Sequence, residues 1–539
     1  MAAETHARPD PSGSASPAAP SSPDRAKSAG RGGMAVLGAK LFFLVVGFVQ
    51  QPLLRLTVGL QDFGGLAQAM IVSNVVNNVV VSSATQGVSR AVAGAPGHED
   101  QALRVALRVH VPLALLVAGL MAVATPFYAG FENARDVTAP LYVLAGVALL
   151  YGLYAPLIGV LNGKSLWSRQ ALLDVTFATL RTIGLLGAGY WFVKHGLSGV
   201  LGITVGWVAA AALIVPLAIR WAGIGERLAA GQPRPAGVPT EGAYLRVLIP
   251  IAGAQLATNA LMQIDIALLG RFLSNAAHAS GLSVDAQRDA VKQWLAIYKE
   301  CQTFAFLPYQ LLFSVTLILF PMVARARAEG DAAAVKEYVA RGARLAAIFC
   351  GLLVGVIVAI PGSMLAFAYG AADAAQGADV LRMMVLGQGA FAMLGIATTV
   401  LTSVGRERLA ALVTTGAVVA VGGACALAVP PAAFGHEQLL RSAQAAAGAM
   451  CLALVGGGLL VRTAAGAFVP PRTAARTGLV VAACVAAGLV TPRFGRFVTP
   501  LVAAAMAGAY FLLLVLVREL GSGDLAMVKA LGSRRSSKT

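Results

Sequence analysis

The sequence predicts an all-α membrane protein that crosses the bilayer about fourteen times. Of its 539 residues, 58% are hydrophobic and only 12% are charged, whereas soluble globular proteins carry about 25% charged residues. From residue 34 onward, apolar stretches follow one another, each long enough to cross a bilayer as a helix. This composition excludes an ordinary soluble enzyme. The net charge of +17 does not indicate nucleic-acid binding, because nucleic-acid binders concentrate their charge on a hydrated surface.

The predicted spans lie between two polar tails. Residues 1–33 are rich in Pro, Ser, Ala and Gly and are expected to be disordered, and residues 522–539 form a basic tail. The spans are 35–59, 66–89, 105–128, 138–161, 170–193, 197–219, 245–270, 294–321, 342–369, 380–403, 409–430, 439–461, 475–491 and 498–517.

Basic residues are distributed unevenly between the two sides of the membrane. When basic residues in the end turns of these approximate spans, such as Arg108 and Arg441, are counted with the adjoining side, 28 of the 41 Lys and Arg residues fall on the side shared by both termini, 8 fall on the opposite side and 5 remain within spans. Loops that remain in the cytoplasm are enriched in Lys and Arg. Both termini are therefore predicted to be cytoplasmic, and we call the two sides of the helical bundle its predicted cytoplasmic end and its predicted outer end.

A short repeat indicates two similarly built lobes. The sequence V-S-R-A at the end of the second span returns as V-A-R-A at the end of the eighth, and a short acidic loop follows each copy. Six helices separate the copies, so both have the same orientation, as in a parallel repeat. Chance similarity between two basic helix ends is the alternative. The predicted units are an N-lobe at 34–222, a cytoplasmic linker at 223–244, a C-lobe at 245–463 and two further helices at 464–521.

Charged residues inside the spans are few and therefore informative, because each costs about 2.5 to 3.5 kcal/mol at the bilayer centre. Asp174 and Arg181 are seven residues apart and project from one helix face; they line a cavity or form a structural ion pair. Lys40 is expected to snorkel, and Arg55 and Arg382 lie near span ends where snorkelling is the alternative to ligand binding. The basic candidates are Arg55, Arg181, Lys299 and Arg382, and the acidic ones are Asp174, Asp265 and Glu300. Lys299 and Glu300 precede a predicted helix break at Pro308, and a position at the membrane interface is the alternative for both.

The second span carries a stripe of uncharged polar residues on one helical face. Its main members are Asn74, Asn78, Ser82 and Thr85. They either hydrogen-bond to neighbouring helices or form a wall suited to sugar hydroxyls. The five cysteines all fall within apolar stretches and are expected to be buried free thiols, since no metal or disulfide motif is present.

Residues 38–64 and 298–331 give the chain a resemblance to a known family. Both stretches are similar to those of the multidrug/oligosaccharidyl-lipid/polysaccharide exporter superfamily, in particular its O-antigen type oligosaccharide flippase branch. The resemblance implies two six-helix lobes plus two C-terminal helices. The lipid II flippase branch is a near relative. The drug antiporters of the superfamily commonly use a first-span carboxylate, and this sequence has none before Asp62.

The resemblance implies a bacterial cytoplasmic-membrane flippase that moves a polyprenyl-diphosphate-linked oligosaccharide to the outer leaflet, without covalent chemistry, cofactor or metal. Arg181, and also Arg55, Arg382 and Lys299, would bind the anionic diphosphate, and the polar stripe would bind sugar. A proton or sodium ion is the candidate coupling ion, bound by Asp174, Asp265 or Glu300. A polysaccharide polymerase is a candidate partner, and nucleic acid is not. A lipid II flippase, an ion-coupled multidrug antiporter and a membrane scaffold are the alternatives.

Overall fold

The computed structural model describes residues 23–223, 237–279, 281 and 283–521, and over these residues the chain is helical without β-strands. The C-terminal tail and most of the predicted linker lie outside this range. One 3-10 turn, Arg135–Val137, precedes α3. The helices are α1 Pro23–Ala93, α2 Glu99–Phe131, α3 Thr138–Gly163, α4 Trp167–Lys194, α5 Gly199–Ala222, α6 Glu241–Ala279, α7 Val284–Ala305, α8 Leu307–Ala328, α9 Ala332–Ala359, α10 Pro361–Ala368, α11 Ala371–Ser403, α12 Glu407–Ala428, α13 His436–Ala465, α14 Pro471–Val490 and α15 Thr499–Leu516.

The first two predicted spans are joined in one long helix, α1. Gly59 interrupts it with φ 85° and ψ 172°, values outside the helical region, and so divides it into two segments. A positive φ favours glycine, which has no Cβ. The helix begins at Pro23, inside the segment 1–33 for which disorder is predicted, and residues 1–22 of that segment lie outside the described range. Pro is well suited to a first helical position, and the Ala, Arg and Lys residues that follow favour helix.

Twelve helices in the described part of the chain are long and apolar enough to cross a membrane. This finding confirms a multi-span, all-α membrane fold. The predicted eighth span corresponds to two helices, α7 and α8, that meet at Phe306. Pro308 lies in the first turn of α8, so the predicted break near this proline is present. Since α1 contains two segments, the predicted number of fourteen is approximate.

The buried apolar side chains form two clusters. One draws mainly on α1 to α5 and the other mainly on α6 to α15, and we call these groups of helices the first and second halves. Tyr244 and Leu248 from the start of α6 pack in the first cluster, while Ala67 and Ile71 of α1 pack in the second. The halves therefore share α1 and α6. The lobe boundaries 34–222 and 245–463 remain a prediction.

Two features of the sequence have clear places in this fold. Arg90 and Arg325, the matching arginines of the repeat, each lie in the last turn of a helix, α1 and α8 respectively. Four of the five cysteines are buried free thiols, as predicted. Cys451 on α13 is exposed instead, because its apolar stretch presents that face away from the protein core.

Candidate functional site

A cavity of about 380 Å³ lies inside the first half, between α1, α3, α4 and α5. Lys299 of α7 also reaches its wall, so the cavity borders the second half. Its polar and aromatic lining consists of Lys40, Phe43, Gln50, Gln51, Phe63, Asn74, Asn77, Asn78, Tyr151, Tyr154, Asp174, Phe177, Arg181, Trp207 and Lys299. The cavity thus combines hydrogen-bonding groups, aromatic faces and charge in a volume that could hold part of a large amphipathic ligand.

Arg181 lies in this cavity without a carboxylate partner. Its guanidinium carbon is 4.7 Å from the ring centre of Phe43 and 5.9 Å from that of Trp207, which places the cation over two aromatic faces. Its Nε atom is buried with no hydrogen-bond partner, and no salt bridge of Arg181 is found among the residues that the structure describes. The guanidinium therefore has donors and charge available for an anionic ligand.

Lys40 of α1 and Asp174 of α4 form an ion pair in the lining of the cavity. The Lys40 Nζ lies 3.5 Å from Asp174 Oδ2, and the lysine side chain is 53% exposed against 13% for the aspartate. The prediction that Lys40 snorkels to the headgroups was wrong, because α4 brings a carboxylate alongside it. The charged lining is then Lys40, Arg181 and Lys299 against Asp174, which gives three positive charges minus one, or a net +2.

Lys299 completes the cationic lining from the second half. Its Nζ donates a 3.4 Å hydrogen bond to Gln302 Oε1, and Asp265 is near enough to interact with it electrostatically. Asp265 itself is fully buried between helices, where its Oδ2 accepts a 2.7 Å hydrogen bond from the Tyr298 hydroxyl. Asp265 does not line the cavity, so in this conformation it is a neighbour of the site and not part of its surface.

Only part of the predicted polar stripe borders the cavity. Asn74 and Asn78, one turn apart on α1, line the cavity, together with Asn77. Ser82 and Thr85 do not line it, and the Thr85 hydroxyl instead donates a long 3.5 Å hydrogen bond to the Ala155 carbonyl of α3. A single helix face is covered by different neighbours along its length. In this conformation Asn74 and Asn78 border the cavity whereas Ser82 and Thr85 do not, and sugar binding by the stripe stays a prediction.

Arg55 does not reach the cavity. Its Nε donates to Glu300 Oε1 at 3.0 Å and its Nη2 to Asp373 Oδ2 at 2.9 Å, and all three side chains are largely buried. This ion triad joins α1 to α7 and α11, and so connects the two halves. The expected roles of Arg55 in diphosphate binding and of Glu300 in ion binding do not fit this conformation, because the two charges neutralise each other.

Arg382 also has protein partners in place of a ligand. Its Nη1 donates to Asp379 Oδ1 at 2.7 Å, its Nη2 to the Gly488 carbonyl at 3.1 Å and its Nε to the Val358 carbonyl at 3.4 Å. These bonds tie α11 to α9 and α14, away from the cavity. In this conformation Arg382 is engaged by Asp379 and by two backbone carbonyls, and its role in substrate binding stays a prediction.

Several uncharged residues of the cavity were not predicted from the sequence. Gln50 accepts a 2.9 Å hydrogen bond from the Thr182 hydroxyl, and the Tyr151 hydroxyl accepts one of 2.7 Å from Trp207 Nε1. The Tyr154 hydroxyl is buried without a partner. The one available signal was the Gln50–Gln51 pair in the middle of an apolar span. Tyr and Trp are common in helix cores, so their sequence positions carry no such signal.

The fold is shared with solved membrane transporters. The structure of the lipid II flippase MurJ in an inward closed conformation superposes with a TM-score of 0.68 at 11% identity, and the match covers 90% of this chain and 99% of that one. An inward-facing multidrug resistance MATE family transporter of the MOP superfamily gives a TM-score of 0.57 at 14% identity, covering 80% of this chain and 98% of its own. A MOP superfamily transporter from Pyrococcus furiosus, described as having a binding pocket of reverse polarity, gives a TM-score of 0.57 at 13% identity, covering 80% of this chain and 95% of its own.

No protein-family model and no curated protein sequence matches the chain. At these identities the likeness concerns the fold alone. The chain is therefore a multi-span membrane protein with the helical fold found in the lipid II flippase and in the multidrug transporters named above.

Proposed function

We propose that the protein is a flippase that moves a polyprenyl-diphosphate-linked oligosaccharide from the inner to the outer leaflet of a bacterial cytoplasmic membrane, for cell-surface polysaccharide assembly. The two halves would rock relative to each other and so expose the 380 Å³ cavity alternately to each side of the membrane. The diphosphate and the first sugars would pass through the cavity while the polyprenyl tail stays in lipid. Such transport needs no covalent step, so we expect no enzymatic activity.

The observation that carries this proposal is the unpaired positive charge of the cavity. Arg181 has no carboxylate partner among the described residues, and the lining has a net charge of +2. Guanidinium binds phosphate oxygens through two parallel hydrogen bonds and stays charged at any working pH. Asn74 and Asn78, which also line the cavity, offer donors and acceptors that suit sugar hydroxyls.

The C-terminal helices give further support to a lipid-linked substrate. The lipid II flippase structure covers 90% of this chain and the multidrug transporter structure 80%, and the family resemblance implies two C-terminal helices, the position that α14 and α15 occupy here. This helix pair packs on α9, where Tyr510 of α15 donates a hydrogen bond to the Ile348 carbonyl at 3.1 Å. Lipid II carries the same diphosphate, so it remains an alternative substrate.

A multidrug antiporter is the second candidate, and Asp174 is the observation that favours it. This carboxylate lines the cavity and is only 13% exposed. Its partner Lys40 offsets its charge, however, and two further cations face the same space. A cationic drug would therefore meet net repulsion. We expect no efflux of ethidium from cells that express the protein.

The proposal is tested with the full chain reconstituted in liposomes. A fluorescent polyprenyl-diphosphate disaccharide is placed in both leaflets, and the fraction open to a membrane-impermeant quencher is followed in time. The wild-type protein is expected to make the inner-leaflet probe accessible faster than protein-free liposomes do. Translocation no faster than in those liposomes would overturn the proposal. Ethidium transport under a proton gradient, with no lipid translocation, would favour the antiporter.

A further inference from the structure

A second cavity, of about 240 Å³, lies at the predicted outer end between the two halves. One wall is the connection from α2 to α3, and the other is the hairpin formed by α6 and α7. We call the contact between the two halves at this end the outer seam; it also includes the contacts of α1 with α7 and α11 at Arg55 and Gly64. The charged and polar residues around the cavity are Gln68, Glu132, Asn133, Arg135, Asp136, Ser274, His278, Gln287, Arg288 and Lys292.

Glu132 is buried in the outer seam without a hydrogen-bond partner for its carboxyl group. The residue is 1% exposed, and neither carboxylate oxygen has a partner. Gln68 lines the same cavity, and its side-chain oxygen is also buried and unpartnered. A buried carboxylate with no donor is costly as an anion, whereas a protonated carboxyl carries no charge and can itself donate a hydrogen bond.

The backbone of Glu132 is fixed to the second half. Its carbonyl accepts a 2.8 Å hydrogen bond from the Ser274 hydroxyl of α6. The carboxyl group lies against Gly270 of the same helix, where an added Cβ would stand 2.4 Å from Glu132 Oε2. The acid is therefore enclosed only while α6 packs against the α2–α3 connection. Separation of the halves at this end would expose it to water.

The cations around Glu132 are held by other partners. On α6, Arg271 donates to the Phe131 carbonyl and lies 5.0 Å from the Phe131 ring. On α7, Lys292 pairs with Asp136 at 2.5 Å and Arg288 with Asp285 at 3.6 Å. His278 of α6 and the exposed Arg135 also border the cavity, and Tyr128 of α2 stands nearby with its hydroxyl donating to the Gln68 carbonyl.

The surroundings therefore favour the neutral form of this acid. Burial raises the pKa of the Glu132 carboxyl to about 8, and the positive charge of Arg271 offsets only part of that effect. A carboxyl group in water has a pKa of about 4.3. Lys292, Arg288 and Arg135 make the cavity unsuited to a metal cation, which leaves the proton as the ligand of this acid.

We propose that Glu132 is a proton-binding site of the outer seam, loaded while the two halves are closed there and emptied when they separate. This inference rests on the alternating access of the proposed function. Proton release would then accompany each opening of the cavity to the outer side. The proton leaves the Glu132 carboxyl for water, and the carboxylate that remains is hydrated until the seam closes again.

The sign of the pH dependence follows from this linkage. The closed seam holds the proton up to about pH 8, and the open seam releases it above about pH 4.3. Proton binding therefore stabilises the closed seam most at a pH below about 4.3. This stabilisation decreases as the pH rises and is lost above about pH 8. Between the two, the ratio of open to closed seams should rise by up to about tenfold per pH unit.

Distances between two spin labels can report the seam without any substrate. In the full chain with its five cysteines replaced by serine, labels at Leu197→Cys and Pro431→Cys place one probe on an exposed loop of each half at the predicted outer end. Distance distributions are recorded in lipid nanodiscs from pH 6 to 8.5, in sodium and in choline buffers. The long-distance population is expected to grow with pH in both buffers, and Glu132→Gln, which mimics the protonated acid, should keep the short distance throughout.

Two variants serve as controls. Glu437→Gln removes a half-exposed carboxylate from the start of α13, and His278→Gln removes the histidine that borders the cavity; both should keep the wild-type pH response. Four results would each overturn the inference. The pH dependence of the distance could be unchanged in Glu132→Gln, lost in His278→Gln, seen only in sodium, or absent from the wild-type protein. A failure of lipid translocation with the seam response intact would refute the proposed function alone.

Discussion

The cavity that contains Arg181 and the outer seam differ in how their charged side chains are paired. In the cavity, Arg181 and Lys299 have no carboxylate within ion-pair distance in the part of the chain that the structure describes. In the outer seam, Arg55 binds both Glu300 and Asp373, and Lys292 binds Asp136, each pair joining one half to the other. A charged side chain inside the membrane costs free energy at any position. The groups that it contacts therefore indicate its role. Unpaired cations suit an anionic ligand, whereas paired charges hold a conformation.

The difference also explains why net charge inside the spans is a poor guide to the site. Five Lys and Arg residues lie within the predicted spans, and only Lys40, Arg181 and Lys299 line the cavity. Arg55 and Arg382 are engaged by carboxylates and carbonyls elsewhere. The following predictions test whether the two regions differ in function as they differ in pairing.

The largest effect is expected from Arg55→Ala in the outer seam. It leaves Glu300, which is fully buried, and Asp373 without their cation, and removing one partner of a buried ion pair costs about 3 to 5 kcal/mol. Thermal unfolding of the purified protein should begin at a distinctly lower temperature. The triple variant Arg55→Met, Glu300→Gln and Asp373→Asn should recover most of the loss, and a stable Arg55→Ala protein would contradict the seam role.

Arg181→Ala in the cavity is expected to affect transport more than stability. Hydrogen bonds to a charged group contribute about 1.5 to 3 kcal/mol, so lipid translocation in liposomes should fall by roughly tenfold to a hundredfold. Arg169→Ala on the same helix is the control, because Arg169 is exposed, does not line the cavity and, among the described residues, donates a hydrogen bond to the Trp221 carbonyl. Wild-type translocation by Arg181→Ala would remove this residue from the mechanism.

Gly64→Ala is expected to weaken the seam without changing any charge. A Cβ at this position would lie 1.9 Å from the Lys292 carbonyl oxygen, so α1 and α7 would have to move apart, and overpacking of this kind costs about 1 to 3 kcal/mol. The spin-label distance across the seam should lengthen. Gly119→Ala on α2, where a Cβ would meet nothing within 4 Å, should leave it unchanged; equal behaviour of the two variants would argue against a tight seam.

Thr85→Val is expected to have the smallest effect. The Thr85 hydroxyl makes only a 3.5 Å hydrogen bond to the Ala155 carbonyl and does not line the cavity. Bonds between transmembrane helices contribute about 0.6 kcal/mol on average, so translocation should stay within about threefold of wild type. A larger loss would mean that the cavity extends further along α1 in another conformation.

Much of the fold was predictable because hydrophobic length is a strong signal in membrane proteins. The succession of apolar stretches predicted the helices, and Pro308 predicted the break between α7 and α8. The continuity of α1 was missed, since Gly59 and the residues after it resemble a loop in sequence. Helix also extends to Pro23, where composition alone predicted disorder.

The site was predictable only where a single helix determines it. Asp174 and Arg181 share a face because they are seven residues apart on α4, and both line the cavity. The partners of Arg55 lie 245 and 318 residues away, and no local pattern identifies them. Lys40 and Glu132 depend likewise on which helix packs beside them. Helix periodicity gives the direction of a side chain, but the packing of helices decides what it meets.

The claim that the cavity binds a diphosphate is tested most directly by comparing three lipids. Binding of the purified full chain would be measured for a polyprenyl-diphosphate disaccharide, its monophosphate and the uncharged polyprenyl disaccharide. We predict that affinity falls in that order, by about tenfold or more between the first and the last, as expected for charge-assisted hydrogen bonds of about 1.5 to 3 kcal/mol. In the double variant Arg181→Ala and Lys299→Gln, the three lipids should bind with nearly equal affinity. Equal affinity of the wild-type protein for the charged and uncharged lipids would contradict the account.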